Sequence, residues 1–313
     1  MSLITIFSAP KPFIDPHIAI IQRNALQSWL HLGDQVDVLL VGDEPGLAEA
    51  AAEFGARHLT QVAHNVEGTP LISSIFELAH QYSDSPLLAY VNADILLLPD
   101  FVEMSDHVFK QSKEFLLAGQ RWDLDVIEPL SFDEQWVDQL RNDVFIHGNL
   151  HPPAGSDYFI FPRRLYKKIP DFAVGRAGWD NWMLYHAATQ PWPLVDATRS
   201  IMVVHQNHGY QHLPQGQAHY DLEETRHNVK LAGGESHMYM LLDAEKELIG
   251  GTIRRPRFRL VRLVRSIERC LLPQIDQHHG WRWMLLRRLR RWRRKMLGTL
   301  EDGSDTKMPP CSA

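Results

Sequence analysis

The stretch LLAYVNADILLLPDF, Leu87 to Phe101, decides how this chain is read. Five apolar residues, Leu87 to Val91, run into Asn92-Ala93-Asp94. A second apolar run, Ile95 to Leu98, ends at Pro99-Asp100. A short apolar run bounded by turn residues predicts a buried strand. A carboxylate at the end of such a strand is costly unless it is paired or holds a metal. In open α/β sheets that carboxyl end is also where ligands bind. The competing structural reading is a polar cap, because Asn and Asp favour turns.

The flanking sequence alternates between two periods. Leu3 to Phe7 predicts a first strand, broken by Ser8-Ala9-Pro10-Lys11-Pro12. Ile18, Ile21, Ala25 and Trp29 recur at helical spacing, with Gly33 closing that helix. Val36 to Val41 is a second strand, closed by Gly42-Asp43-Glu44-Pro45. A helix over Leu47 to Phe54, a strand over Arg57 to Leu59 and a helix over Leu71 to Tyr82 follow. Downstream, Glu114 to Gly119 and Tyr158 to Phe161 read as strands, and Ile201 to Val204 as the last. This alternation predicts βαβ units and a mostly parallel central sheet flanked by helices. The absence of a Gly-x-Gly-x-x-Gly or Walker loop argues against a dinucleotide enzyme or a P-loop NTPase.

The order of these elements, with Asn92-Ala93-Asp94 after the fourth strand, resembles the GT-A glycosyltransferases, the nucleotide-diphospho-sugar transferases. The resemblance covers residues 3 to about 210. In that family an Asp-x-Asp at the end of a central strand holds a divalent metal against the donor diphosphate. Here the first acid is Asn92 and only Asp94 is kept. The resemblance implies Mn²⁺ or Mg²⁺ on Asp94, with His205 after the last strand as a second ligand. It implies a UDP-, GDP- or dTDP-sugar donor. A hard cation between a carboxylate and phosphate oxygens would neutralise the charge that develops on the leaving diphosphate. Ser8, Ala9 and Pro10 would cradle the nucleotide, with Asn92 on the donor side. Asp43 would meet the base or ribose, although on local grounds it reads more simply as a turn residue.

Gly178-Trp179-Asp180-Asn181-Trp182 opens a helix that runs to Thr189. An aspartate there serves as an N-cap. In inverting members of the family the acid at this place takes the acceptor's hydroxyl proton, which would make Asp180 the general base if this chain inverts. Trp179, Asn181 and Trp182 would then line the site, the tryptophans as flat platforms for sugar faces. Arg121 is a candidate for the diphosphate or a sugar hydroxyl, and equally for a salt bridge to Asp123 or Asp125. Asp157, at the start of a strand, could orient the acceptor loop or pair with Arg163. His205, His208 and His212 invite a zinc reading, but Gly209 and Pro214 disfavour the helix that would align them. His208 and His212 therefore read as substrate contacts or surface histidines.

Charge is unevenly spread. Thr252 to Leu297 holds fourteen Arg and one Lys against Glu268 and Asp276, a local charge of +13. The whole chain is −6, which leaves −19 elsewhere, an acidic body with a basic appendage. Two helices are expected there, mixing Arg with Trp281, Trp283, Trp292 and Leu. That pattern suits an anionic membrane surface and, less well, nucleic acid.

The expected organisation is a GT-A domain over 1–235, a helical segment over 236–297 and a disordered tail over 298–313. Cys270 and Cys311 make no disulfide framework and suit a reducing compartment. No leader pattern opens the sequence, and no apolar run reaches the ~20 residues of a membrane span. The expected location is cytoplasmic, at most peripheral on the inner face of a membrane. The expected activity is sugar transfer from a nucleotide diphosphate donor to a hydroxyl of a glycan or lipid-linked glycan. A catalytically degenerate, sugar-binding or membrane-docked scaffold is the rival from another class, and a nucleotidyltransferase is the third reading.

Overall fold

A computed structural model describes residues 2–209, 222–272 and 279–298. His212, Pro214, Asp276 and Cys311 lie outside the described residues, as does the expected tail from residue 299 onward. The strands are β1 (Ile4–Ser8), β2 (Val36–Val41), β3 (Arg57–Leu59), β4 (Leu87–Val91), β5 (Ile95–Leu97), β6 (Leu116–Ala118), β7 (Trp122–Leu124), β8 (Asn149–Leu150), β9 (Tyr158–Pro162), β10 (Leu194–Asp196), β11 (Val203–Gln206), β12 (Lys246–Ile249) and β13 (Thr252–Arg254). The helices are α1 (Pro16–Leu30), α2 (Leu47–Phe54), α3 (Ile72–Tyr82), α4 (Asp100–Gln111), α5 (Trp136–His147), α6 (Trp179–Ala188), α7 (Glu223–Leu231), α8 (Leu260–Leu271) and α9 (Trp281–Met296).

Among the described residues nine strands form one sheet, in the order β13-β12-β10-β6-β9-β4-β1-β2-β3. It is a mixed α/β fold with a mostly parallel central sheet. The reversals are β9, antiparallel to both β4 and β6, and β13, antiparallel to β12. β1 and β4 are buried along their whole length, as strands covered on both faces must be. Ala25, Leu26 and Trp29 of α1, with Phe101 and Val108 of α4, pack beneath Ile4 and Ile6 on one face. Ile75 and Phe76 of α3 and Met183 and Leu184 of α6 cover Phe7 and Leu88 on the other. α1 starts at Pro16 because Asp15 caps it: its carboxylate accepts from His17 N and Ile18 N at 2.9 and 3.0 Å, and Pro16 fills the first turn.

A second sheet, β5-β11-β7-β8, stands beside the carboxyl end of the first. Leu96, Leu124 and Val204 from it pack with Trp136, Leu140 and Val144 of α5. α1 ties the two sheets together. The Trp29 indole donates to Ile95 O at 2.8 Å, and Asn24 donates to the buried Gln206 side chain at 3.0 Å. Gly119 is where the chain passes from β6 to β7. A Cβ there would collide with the Tyr158 hydroxyl and come within 3.0 Å of Thr198 N, so only glycine fits.

Three expectations are corrected. The strand expected over Ile201 to Val204 is β11, shifted toward Gln206, and it belongs to the second sheet. It is not the last strand, since β12 and β13 complete the main sheet with β12 parallel to β10. These strands are short and carry Lys, Glu, Thr and Arg, so no apolar alternation marks them. The sheet therefore continues past residue 235, where the first domain was expected to end.

The basic segment folds onto the body through its charged side chains. Arg265, buried, donates to the Asp243 carboxylate at 2.8 Å and to Met238 O at 2.9 Å. Arg293 of α9 meets Glu268 of α8 at 2.9 Å, with both buried. Arg262 reaches Ala244 O at 2.8 Å and Glu247 at 3.4 Å. Removing one partner of a buried ion pair strands the other's charge. Arg265→Ala should therefore destabilise the fold by about 3–5 kcal/mol in a denaturant titration. The exposed Arg255→Ala should stay within about 0.5 kcal/mol of the parent. Equal stability of the two variants would refute the clamp.

Candidate active site

Asp94 sits in the turn between β4 and β5, where Ile95 N donates to Asn92 O at 3.1 Å and reverses the chain. β11 pairs with β5 and β7 so that His205 stands opposite both Ile95 and Asp123. Asp94 Oδ2 lies 3.0 Å from His208 Nε2, 3.7 Å from Lys11 Nζ and 3.9 Å from His205 Nε2. Its other oxygen, Oδ1, is buried with no hydrogen-bond partner. Burial alone would raise the Asp94 carboxyl, but the His208 hydrogen bond and the charges of His205 and Lys11 hold it well below the usual range. Burial lowers the Lys11 ammonium, against the pull of Asp94.

The ligand atoms of Asp94, His205 and His208 all lie within 4.8 Å of one another, a donor set that could hold one metal ion. Each imidazole is also oriented from behind. His205 Nδ1 is 3.2 Å from Asp123 Oδ1, short of hydrogen-bond geometry, which leaves Nε2 toward Asp94. His208 Nδ1 is 3.2 Å from Gly209 O, so with a proton held there the Nε2 lone pair would be free for a metal ion in place of the Asp94 hydrogen bond. A carboxylate or carbonyl behind a histidine is the usual support of a metal-binding imidazole. The residues present thus fit a divalent ion. Lys11, 3.2 Å from His208 Nε2, is a cation already against the same pair.

A second layer of charge surrounds this cluster. Arg121 donates to Asp123 at 2.8 Å and to Asp157 at 2.7 Å. His151 Nδ1 lies 2.7 Å from the other Asp123 oxygen. Burial would raise Asp123, but His151, His205 and Arg121 hold it well below the usual range. Asn92 donates to Asp157 Oδ1 at 2.9 Å. Arg121 is therefore an ion-pair residue in this structure, of the two readings open to it. Asp157 pairs with Arg121 and not with Arg163, which instead donates to Ser83 O at 2.7 Å. Although Asp157 does begin a strand, β9 is antiparallel to β4, so that start lies at the carboxyl end of β4 with Val91 opposite Tyr158.

Asp180 is the second residue of α6, whose cap is Gly178 at φ 110°, so the N-cap reading is corrected. Its carboxylate accepts from Gly178 N at 3.2 Å. Burial pushes the group up to about 6; the backbone N–H groups of Asn181 and Gly178 oppose this, and the nearby Asp157 charge adds to it. Trp179 is not a sugar platform: it is buried, edge-on to Tyr90 at 4.9 Å and to Phe159 at 5.4 Å. Trp182 is half-buried and stacks on His186. The Asn181 amide is spent on Tyr239 O at 2.8 Å and Ala154 O at 3.2 Å, where it pins the loop before β9 to the chain after α7.

Ser8 closes β1 with its hydroxyl buried and unpartnered, and Ala9 and Pro10 follow at the same sheet edge. Asp43 lies past the end of β2, two strands from β4, with 62% of its side chain exposed and His64 Nε2 at 3.5 Å. Lys11, Asp123, His151 and the metal-facing role of His208 were not singled out from sequence. Asp123 was visible there only as a partner for Arg121. The others carry no local signal, since the pairing of residues 94 and 208 depends on β11 crossing beside β5.

No protein-family model matches the chain, and no curated protein sequence does either. Solved structures with a related arrangement include glucosyl-3-phosphoglycerate synthase from Mycobacterium tuberculosis in complex with Mg²⁺ and uridine-diphosphate. It is 15% identical over 82% of this chain and 87% of that one, with a TM-score of 0.47. The same enzyme with Mn²⁺, uridine-diphosphate and phosphoglyceric acid is 15% identical over 74% and 79%, with a TM-score of 0.46. A structure described as a mycobacterial protein is 14% identical over 74% and 76%, also at 0.46.

Removing a ligand should show in metal affinity before any chemistry is assayed. Calorimetric titration with Mn²⁺ should find one site in the parent and none in Asp94→Ala or His208→Ala. Asp123→Asn, which weakens the support behind His205, should cost about 10–100-fold in affinity. Unchanged Mn²⁺ binding in His208→Ala would remove that residue from the ligand set.

Proposed function

We infer that the chain transfers a sugar from a nucleotide diphosphate-sugar to a hydroxyl acceptor, in the manner of GT-A glycosyltransferases. The observation that carries this reading is the Asp94 carboxylate at the carboxyl end of β4, with one oxygen unshared and two oriented imidazoles facing it. Two imidazoles and one carboxylate suit Mn²⁺ better than Mg²⁺, which prefers oxygen ligands and retained water. When bound there, the ion would neutralise charge on the leaving diphosphate. With an ion on Asp94, Lys11, now 3.7 Å from that carboxylate, would be free to meet the phosphates. Ser8, Ala9, Pro10 and Asn92 lie on the donor side, with Asp43 for the ribose or base.

Asp180 supports the acceptor side of this reading. Burial keeps its proton affinity near that of a working base, and the Asp157 charge raises it further. In a single displacement the acceptor oxygen bonds to the anomeric carbon as the bond from that carbon to the diphosphate oxygen breaks. The acceptor's proton passes to Asp180, and the nucleotide diphosphate leaves. The acceptor class is a hydroxyl of a glycan or lipid-linked glycan.

Purified protein with Mn²⁺ and a panel of UDP-, GDP- and dTDP-sugars should release nucleotide diphosphate from at least one donor. No release from any donor, with or without candidate acceptors, would favour the scaffold reading. Asp180→Asn should lower turnover by about 10²–10⁴-fold while leaving donor binding intact. The parent's rate should fall as pH drops below about 6, where Asp180 takes a proton and can no longer act as base. Stability carries the opposite sign. The raised group favours the fold at low pH, and that contribution is lost as pH rises through about 6. Asp180→Asn should therefore flatten both the acidic rate limb and that stability loss. A limb that survives in Asp180→Asn would assign it to another group.

A further inference from the structure

α8 is amphipathic in the reverse sense to a helix on a globular protein. Its charged face, Arg262, Arg265 and Glu268, points into the body and is held there by Asp243, Glu247 and Arg293. Its apolar stripe, Leu260, Leu263 and Ile267 at i, i+3 and i+7, is 41–47% exposed. Ordinary folding places such a stripe inward. Here buried ion pairs hold it outward, although leaving it in water is unfavourable.

α9, which packs against α8, exposes a face of different chemistry. Trp281, Leu285 and Trp292, at i, i+4 and i+11, share one exposed face with Arg288 and Lys295. The Arg282 guanidinium lies 5.4 Å from the Trp281 ring. The outward side of the helix pair is thus apolar along α8 and mixes indoles with cations along α9. A protein partner or a second copy would have to match an apolar stripe and a row of cations on one face. An anionic bilayer supplies both, because its headgroups take the cations while indoles and aliphatic chains settle at the acyl boundary. Nucleic acid answers the cations but leaves the stripe in water.

We propose that the outward face of α8 and α9 binds an anionic phospholipid surface, with the helix axes lying in the interface. The face is joined to the candidate active site through the body. Arg265 holds Met238 O, the next residue's carbonyl, Tyr239 O, takes the Asn181 amide, and Asn181 neighbours Asp180. Docking would therefore hold the wall beside Asp180 near the lipid surface. The proposal does not depend on the transferase reading, and its test needs no turnover.

Flotation of the full chain with phosphatidylcholine vesicles, with and without phosphatidylglycerol, tests it. Binding should require phosphatidylglycerol and weaken in high salt. Two full-length variants address the two components separately, and every substituted side chain is exposed, so the unfolding midpoint should hold. Leu263→Ser/Ile267→Ser removes the stripe, and Arg288→Ala/Lys295→Ala removes two cations. Each should reduce partitioning by about tenfold or more. Three results would overturn the proposal: both variants partitioning like the parent, tighter binding to duplex nucleic acid than to anionic vesicles, or a stable dimer that Leu263→Ser/Ile267→Ser dissolves.

Discussion

Everything around the candidate site follows from one costly placement, the charged carboxylate of Asp94 buried at the end of β4. Such a group persists only where positive charge or donors surround it, and the fold brings them from two separate stretches of chain, with a carboxylate behind them from a third. Lys11 comes from the loop after β1, His205 from β11, His208 from the loop beyond, and behind them Asp123 comes from β7. Behind His205, Asp123 supplies a carboxylate at 3.2 Å. Asp123 in turn is balanced by Arg121 and His151. The second sheet exists in this place to carry that layer. Its apolar side chains pack against α5 on one side and, through Ile95, Leu97 and Val203, into the main core on the other, while its strands hold or flank Asp94, Asp123, His151 and His205.

The parallel half of the main sheet was legible because its strands are short apolar runs and its helices carry a clear 3.6-residue period. Val36 to Val41 and Leu47 to Phe54 appear with the bounds expected of them. The polar strands were not legible. β12 and β13 are defined by pairing with β10 and with each other, and no local preference announces them. In the site, Asp94 stood out because an acid after five apolar residues has few bland explanations. His208 did not, because Gly209 removes the only regular geometry that would have aligned it with its neighbours in sequence. That the start of β9, where Asp157 sits, lies at the carboxyl end of β4 was not legible, because only the antiparallel pairing reveals which terminus faces the ligand.

Trp179 and Asn181 show how composition misleads near a site. An aromatic next to an acid suggests a sugar platform, but the ring is the hub of an edge-on cluster with Tyr90 and Phe159 under the sheet. Asn181 looks like a ligand donor and instead fastens two loops. Both act by fixing the backbone on either side of Asp180, so the acid keeps a single orientation and its burial. A rigid surround of this kind is what holds a carboxyl near neutral proton affinity without a second charge pressed directly against it.

The pairing of β12 with β10 also fixes an order of assembly. β10 borders β6 on one side, and its other edge is covered only by residues 246–249, more than fifty positions later in the chain. Until those residues leave the ribosome, the nascent sheet ends in an open strand able to pair with any passing chain. The covering strand is itself short, and β13 closes it with Thr252 and Arg254 facing outward. The last strands of the fold are thus its seal against edge-to-edge aggregation, and a chain cut at residue 235 would lack it.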